Sequence, residues 1–218
     1  MSVQTDNGGA ANAAGAGGLA LAVLLAGIAG MVDAVGFMRL HHLFVSYMSG
    51  NTTQFAVAAG RGDLPEAGSI LVLIGLFVAG AAGGQLIAHG AGSRHLTAIL
   101  AVCVALLTTA AAFGTAPAPM VLAMGALNAA MHRAGSVPVS LTFVTGTLVR
   151  LGQGFGDFLG GRTDGWVWAA QALPWLGLVA GAAIAGAAYQ PVGPAVAWVP
   201  VAVAAALFLW SLAIPAPE

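Results

Sequence analysis

The sequence predicts an all-α membrane protein, on the evidence of its composition and of the length of its apolar segments. Of its 218 residues, 59% are hydrophobic and only 6% are charged, and the mean hydropathy is +0.93. A soluble domain carries about 25% charged residues, so this chain lacks the polar side chains that a water-facing surface needs. The composition therefore excludes a cytosolic enzyme and a disordered protein.

The charged residues and the cysteine content exclude further classes. Seven acids and six bases give a formal net charge of −1, so the chain has no basic surface for a nucleic acid. Its one cysteine, Cys103, excludes an intrachain disulfide framework and a multi-cysteine metal site. We therefore expect no nucleic-acid partner, no metal and no cofactor.

Eight apolar segments are candidates for membrane helices. A helix needs about 20 mostly apolar residues to cross about 30 Å of hydrocarbon, and lipid cannot satisfy the backbone of an open sheet. The second segment contains many polar residues and the fifth is short, so either is a tilted full helix or a broken, re-entrant one. The sequence thus predicts a polytopic helical bundle of about eight hydrophobic segments with six to eight crossings. The segments are Gly18–Phe37, Leu43–Gly60, Ser69–Ala88, Leu96–Gly114, Pro117–Met131, Val139–Leu159, Trp166–Tyr189 and Ala195–Ile214.

The two halves of the chain resemble each other. The block from Gly30 to Val35 aligns with the block from Gly125 to Ala130, and the block from Ser46 to Asn51 aligns with the block from Thr142 to Thr147. We predict a disordered tail at 1–17, a first repeat of transmembrane helices at 18–116 and a second at 117–214, together forming one integral membrane domain. Each repeat has about 95 residues. If each repeat crosses the membrane four times, both repeats begin on the same side and are parallel. If each crosses three times, the second begins on the opposite side and is inverted, and transporters use both arrangements.

The arginines give a first indication of orientation. With eight spans, Arg39, Arg94 and Arg133 lie on one side of the membrane, and Arg61 and Arg162 lie on the other. Because positive residues favour the cytoplasmic side, this count places both termini outside.

Two motifs resemble the YoaK-like family of bacterial inner-membrane proteins. The first runs from Asp33 to Phe37 and from Phe44 to Thr53, and the second comprises Gly125–Asn128 and Phe143–Leu148. The similarity covers nearly the whole chain. It implies a multi-pass protein of the bacterial inner (cytoplasmic) membrane in a family of unknown function, and it brings with it no substrate and no site residues.

Asp33 lies deep in the first segment, where an ionised carboxylate costs a few kcal/mol on insertion scales. It is either a proton- or cation-coupling acid or a structural residue that is paired or placed at a helix end. Its counterpart in the second half, Asn128, retains hydrogen bonding but does not titrate.

Arg150 is an arginine inside a segment, and three partners are candidates for its charge. They are Asp33, Asp157 and an anionic substrate. Asp157 lies about two helical turns away on the same face, which leaves Arg150 able to reach Asp33. A structural pair and a substrate contact both remain open.

Hydroxyl and amide side chains cluster in the second and sixth segments. Beside a broken helix they can hold an ion or a polar solute, and in an intact helix they serve helix–helix hydrogen bonds. The candidate substrate- or ion-binding residues are Asp33, Ser49, Asn51, Thr52, Asn128, Thr145, Thr147 and Arg150.

The leading hypothesis is a small secondary transporter or facilitator of a polar small solute or ion, with its site between the two repeats and with Asp33 available for proton coupling. The alternatives are a non-transporting membrane scaffold and a channel. The sequence contains no HExxH motif, no GxSxG motif and no Cys–His pair, so we expect no enzymatic activity. The expected partners are the lipid bilayer and the solute.

Glycines four residues apart permit close helix packing, and Gly-rich faces also permit a homo-oligomer. The pairs with this spacing are Gly80/Gly84, Gly156/Gly160 and Gly177/Gly181.

Overall fold

The computed structural model describes residues 7–40, 42–114, 117–131 and 144–213. Within these ranges the chain forms helices and no strand, in agreement with an all-α membrane protein. Two 3-10 helices in these ranges are Gly92–Arg94 and Gly193–Ala197. The α-helices are α1 (Asn7–Arg39), α2 (Met48–Gly60), α3 (Leu64–Ala91), α4 (His95–Ala112), α5 (Pro117–Met131), α6 (Val144–Leu159), α7 (Gly165–Ala170), α8 (Leu173–Val192) and α9 (Trp198–Ala213).

Several helix boundaries differ from the predicted segments. Helix α1 begins at Asn7, so helix extends into the stretch that the sequence predicts as a tail, while residues 1–6 lie outside the described ranges. Helix α2 begins at Met48, five residues beyond the start of the second predicted segment, because the chain before it follows a non-helical path. Residues 139–143 of the sixth predicted segment, with Thr142 and Phe143 of the second repeat block, also lie outside the described ranges.

Among the described residues, three helical stretches are long and apolar enough to cross a membrane. They are Gly17–Arg39, Leu64–Ala112 and Trp168–Ala213, and Pro117–Ala129 is a shorter apolar helix. The second stretch has 49 residues, and as one straight helix it would measure about 74 Å, over twice the thickness of the hydrocarbon. It instead contains α3 and α4, and the chain turns between them at Gly92 with a φ of 56°, a conformation that glycine adopts without steric cost.

Helix α1 packs against α8 with their backbones in contact. A methyl group added to Gly177 would collide with the backbone of Val23, and one added to Gly181 would collide with the backbone of Gly27. Small residues four apart allow this approach, which maximises van der Waals contact between helices. Moving four residues along α8, from Gly177 to Gly181, moves the contact four residues along α1, from Val23 to Gly27. Helices α1 and α8 therefore run in the same direction.

Helix α3 packs against α5 in a similar way. A methyl group on Gly80 would collide with the backbone of Leu122, and one on Gly84 would collide with that of Ala126. Helices α3 and α5 therefore also run in the same direction. Two of the three predicted glycine pairs are thus in backbone contact with another helix, whereas Gly156 has no atom of another residue close to the position of an added methyl group.

Arg39, the last residue of α1, defines one end of the bundle, which we call the Arg39 end. Its guanidinium donates to the carbonyl of Pro194 at 3.1 Å and to that of Gly114 at 3.5 Å. Gly114 follows α4, and Pro194 lies between α8 and α9. Helices α1, α4 and α8 therefore all end here, and α5 and α9 begin here.

Helix α2 enters and leaves the bundle by the Arg39 end. Helix α3 begins at this end because it runs parallel to α5, so the chain leaves α1 and enters α3 on the same side. The segment before α2 is hydrogen-bonded to Asp33, which lies about 9 Å deeper than Arg39 along α1. With 13 residues, α2 is about 20 Å long. Residues 42–63 thus leave the Arg39 end of the bundle and return to the same end.

Helix α6 has the opposite arrangement. Helix α5 runs away from the Arg39 end, and α8 begins at the far end because it is parallel to α1. Val144, the first residue of α6, lines the same cavity as Asp33 and Ser46, so α6 begins inside the bundle. The chain then reaches the beginning of α8 at the far end of the bundle, which is the end opposite the Arg39 end. The segment containing α2, in contrast, returns to the Arg39 end.

Buried apolar side chains of α1, α4, α5 and α9 form the core between these helices. The Sγ of Cys103 in α4 lies 3.4 Å from the carbonyl oxygen of Ala123 in α5, which marks how closely these two helices approach. The largest fully buried side chains from α1, α4 and α5 include Leu25, Ile28, Ile99, Leu100, Met124 and Leu127.

The Gly181→Ala substitution should destabilise the protein by about 1–3 kcal/mol, the usual cost of adding a methyl group to a filled interface. Gly186→Ala, in the same helix, is the matched control because an added methyl group there meets no atom within 4 Å. The thermal unfolding midpoints of the purified proteins in detergent provide the comparison. Equal midpoints for the two variants would contradict the backbone contact between α1 and α8.

Candidate functional site

The carboxylate of Asp33 holds the segment that precedes α2. Its Oδ1 accepts hydrogen bonds from the backbone N–H groups of Val45 at 2.8 Å and Ser46 at 2.7 Å, and its Oδ2 accepts one from the Ser46 hydroxyl at 2.5 Å. The side chain of Ser46 is buried, and Asp33 itself is half-buried. Asp33 thus joins α1 to the beginning of α2 across twelve residues of chain.

Asn51 holds the same segment from the other side. Its Oδ1 accepts from the N–H of Phe44 at 3.1 Å, and its Nδ2 donates to the carbonyl of Phe44 at 2.6 Å. Asn51 is fully buried. We call Phe44–Ser46, held by these two side chains, the clamped loop. The structure therefore brings together Asp33 and Asn51, two of the predicted site residues, as its two clamps.

The other predicted residues of α2 lie away from the clamped loop. Ser49 and Thr52 are exposed. The hydroxyl of Thr52 donates to the carbonyl of Met48 at 2.8 Å within the same helix. The Thr52 hydroxyl is thus satisfied on the helix backbone, and neither Ser49 nor Thr52 lines the cavity described below.

The predicted residues of the second half are dispersed over α5 and α6. The Nδ2 of Asn128 donates to the carbonyl of Met124 at 2.8 Å, and Asn128 is half-buried. Thr145 is exposed and Thr147 is buried. Arg150 is exposed, and its Nη2 donates to the hydroxyl of Thr147 at 3.2 Å.

The structure does not place Arg150 beside Asp33. The oxygens of Asp33 are engaged by the clamped loop, and Arg150 bonds within its own helix. Asp157, the alternative partner for Arg150, lies 3.6 Å from Arg162 in an exposed ion pair. The sequence spacing could not reveal this pairing, because Arg162 comes after the end of α6.

A cavity of about 370 Å³ lies beside the clamped loop. Asp33 and Ser46 are among its lining residues, but nearly all of its surface is apolar, with contributions from α1, α6 and α8 that include Ala34, Val144 and Ala182. The beginnings of both inward-starting helices, α2 and α6, therefore meet at one cavity.

Three aromatic side chains form one wall of this cavity. Phe37, Phe44 and Tyr47 all line it. The ring centroids of Phe37 and Phe44 are 5.2 Å apart, and those of Phe44 and Tyr47 are also 5.2 Å apart with an edge-on geometry. The exposed His42 packs against Phe37 with its ring tilted by 58° and the two ring centroids 4.7 Å apart. We call Phe37, Phe44 and Tyr47 the aromatic wall.

Sequence reasoning missed the aromatic wall, although one signal for it was available. Phe37 follows Asp33 by four residues in α1, and residues four apart share a helix face. Phe44 and Tyr47 lie in the motif Phe44–Thr53, whose hydroxyl and amide side chains are the evident candidates for binding a polar ligand. Among the described residues, no group of three or more His, Cys, Asp or Glu side chains could hold a metal ion.

Comparison with known proteins now identifies the family. Residues 21–210 match the family model described as a protein of unknown function, DUF1275. The chain belongs to the DUF1275 family. It is also 40% identical over 206 residues to a UPF0700 transmembrane protein of Rhizobium meliloti (strain 1021), covering 92% of this chain and 88% of the relative. No solved structure matches the chain.

The family and the apolar helices agree on the class of protein. This DUF1275 chain is an integral membrane protein with a helical fold. The resemblance to YoaK-like proteins is confirmed at the level of the family. The family carries no assigned function, so the function must be inferred from the cavity and the clamped loop.

The Asn51→Ala substitution should release the clamped loop. It removes the side-chain partner of the part-buried N–H and C=O of Phe44, and the loss of a partner costs about 1–3 kcal/mol for a buried group. Hydrogen–deuterium exchange followed by mass spectrometry should detect faster exchange in residues 42–48. Thr52→Ala is the matched control, because Thr52 is exposed and bonds only to its own helix. Unchanged protection in Asn51→Ala would contradict the clamp.

Proposed function

We propose that the protein is a multi-pass secondary transporter or facilitator of a small polar solute in the bacterial inner membrane. The observation that carries the proposal is the meeting of the beginnings of α2 and α6 at one cavity inside the bundle. Non-helical backbone at membrane depth is tolerated only where it is buried in protein or lines a cavity. Transporters place their sites at such discontinuous helices, between two repeats.

The helix packing supports two inverted repeats. Gly30 and Gly125 are the first residues of the two aligned sequence blocks, and each lies in backbone contact with the second crossing helix of the other half, α8 for Gly30 and α3 for Gly125. A methyl group on Gly30 would collide with Leu178 in α8, and one on Gly125 would collide with Phe77 in α3. Together with the opposite exits of α2 and α6, this reciprocity favours three crossings per repeat and therefore six in all.

Six crossings also change the orientation that the arginines favour. Arg39 and Arg61 then lie at the Arg39 end. Arg94 and Arg162 lie at the far end, and Arg133 follows the end of α5 in the sequence. Counted by its sequence position after α5, Arg133 brings the far end to three arginines against two, which favours the cytoplasm for that end. Both termini are then cytoplasmic, in contrast to the count made with eight spans.

The topology predicts a labelling pattern for single cysteines introduced into a Cys103→Ser background. Cysteines at His42 and Gly62 should react with a membrane-impermeant maleimide from the same, periplasmic side of intact cells. Cysteines at Ser93 and Arg162 should react only after the inner face is exposed. Opposite accessibility of positions 42 and 62 would mean that α2 crosses the membrane, and six crossings would then be wrong.

Solute flux tests the function directly. We expect proteoliposomes to recover their volume faster than protein-free liposomes after an osmotic step with at least one small polar solute, measured by stopped-flow light scattering over a panel that includes glycerol, urea and methylammonium. Ala182→Phe should reduce flux to the protein-free level, because Ala182 lines the cavity. Ala183→Phe is the matched control, since Ala183 is exposed on the same helix.

The same experiment separates the alternatives. Flux that saturates with solute concentration indicates a carrier, and flux that rises linearly indicates a channel. A solute flux that responds to an imposed pH gradient, and loses this response in Asp33→Asn, supports proton coupling. Equal flux through Ala182→Phe and the wild type would exclude the cavity as the route, and the absence of protein-dependent flux for every solute would favour a scaffold.

A further inference from the structure

We propose that the cavity binds an uncharged small molecule with an apolar body and one polar group at its end. The inference rests on the proposed function and narrows its solute to this class. Nearly all of the cavity surface is apolar. An ionised group that leaves water for such surroundings without a partner is strongly disfavoured, so the lining selects against a charge of either sign.

The carboxylate of Asp33 does not offer a charge to a ligand. Three donors engage its two oxygens, the N–H of Val45 and the N–H and hydroxyl of Ser46. These bonds hold the clamped loop, so a ligand that replaced them would leave non-helical backbone unsatisfied at membrane depth. Asp33 therefore shapes the cavity through the loop, and the ligand meets the apolar groups around it.

The walls of the cavity are preformed. A methyl group on Gly30 would collide with the backbone of Leu178, and both residues line the cavity, so α1 and α8 touch directly beside it. Packed helices resist displacement, which keeps the space open. Ala34, Val144 and Ala182 add methyl groups to the lining. An apolar body gains free energy by leaving water for this lining, whereas water finds few hydrogen-bond partners there.

The opening of the cavity accommodates the polar group of the ligand. The cavity is partly open, and the exposed members of its described lining are Phe37 and Tyr47, at 38% and 37%. Gly30 and Ser46, in contrast, are buried. Because Phe37 lies two residues before Arg39, the opening is towards the Arg39 end. A polar group at this opening stays hydrated while the apolar body is buried, and a second polar group deeper in the cavity would lose its water without gaining a partner.

Three probes that share one phenyl ring and differ in charge test the inference. The volume of about 370 Å³ is near the lower limit of small-molecule sites, about 300–1,000 Å³, and admits a body of this size. The probes are the uncharged phenylacetamide, the cation 2-phenylethylammonium and the anion phenylacetate. Each is titrated calorimetrically into the full-length protein in detergent.

Phenylacetamide should bind at least about hundredfold more tightly than either ion at about pH 7, because each ion would lose its hydration without gaining a partner. Equal affinities for the three probes would overturn the inference. No binding of phenylacetamide, the result expected if a lipid chain fills the cavity, would overturn it as well.

Titrations at about pH 6 and pH 8 distinguish the neutral form of each probe from its ion. An alkylamine titrates near the pKa of lysine, about 10.4, so its neutral fraction rises about tenfold per pH unit in this range. The apparent affinity for the amine should rise by the same factor, and that for phenylacetate should fall. Phenylacetamide does not titrate, so its constant affinity controls for titration of Asp33 and Tyr47 in the lining. An amine affinity that is independent of pH would mean that the ion itself binds, and would refute the inference.

A pair of variants locates the bound probe. Ala182→Phe fills the cavity, which Ala182 lines, and should abolish binding of phenylacetamide. Ala183→Phe is the matched control, because Ala183 is exposed on the same helix, and it also accounts for partition of the probe into the detergent. Equal binding by the two variants would place the probe outside the cavity and contradict the proposal.

Flux keeps this inference distinct from the proposed function. Binding of phenylacetamide without protein-dependent flux of any solute would support the site and refute the transporter. Flux of methylammonium that is lost in Ala182→Phe, without a preference for the uncharged probe in binding, would support the transporter and refute this site. If both hold, protein-dependent flux of urea should exceed that of methylammonium, because only methylammonium carries a charge into the apolar lining.

Discussion

The backbone hydrogen bonds of the clamped loop are the constraint on which the rest of the site depends. Inside a bilayer no water is available to a non-helical segment, and each unsatisfied peptide group costs several kcal/mol. Two side chains satisfy the loop instead, Asp33 from α1 and Asn51 from α2. Without these bonds the chain between α1 and α2 could not begin a helix at this depth, and the aromatic wall would lose two of its three members.

Glycine contacts fix the position of the helices around that loop. Helices α1 and α8 approach until their backbones touch at Gly27 and Gly181, and α3 and α5 do so at Gly84 and Ala126. Because packed helices resist displacement, these contacts set how far Leu178 and Ala182 lie from the aromatic wall. The size of the cavity is thus a consequence of small residues outside the polar motif.

The sequence predicted the class of fold because long apolar segments and scarce charges have few physical solutions. It also selected Asp33 and Asn51, since polar groups inside such segments require partners. Their role could not be derived, because the partners of Asp33 lie twelve and thirteen residues away in a loop whose path hydropathy does not encode. For the same reason, hydropathy fitted a full membrane helix over the second segment as well as a broken one, although the helix begins only at Met48.

The difference between Asp33 and Asn128 shows how two similar halves acquire different chemistry. A carboxylate has only acceptors, so Asp33 bonds to N–H and O–H groups and cannot bond to the carbonyls of its own helix. An amide also has donors, and Asn128 uses them on the carbonyl of Met124. The aligned glycines Gly30 and Gly125 meanwhile make the same kind of backbone contact in both halves. The packing is therefore common to the two halves, whereas the carboxyl group that holds the clamped loop belongs to one of them.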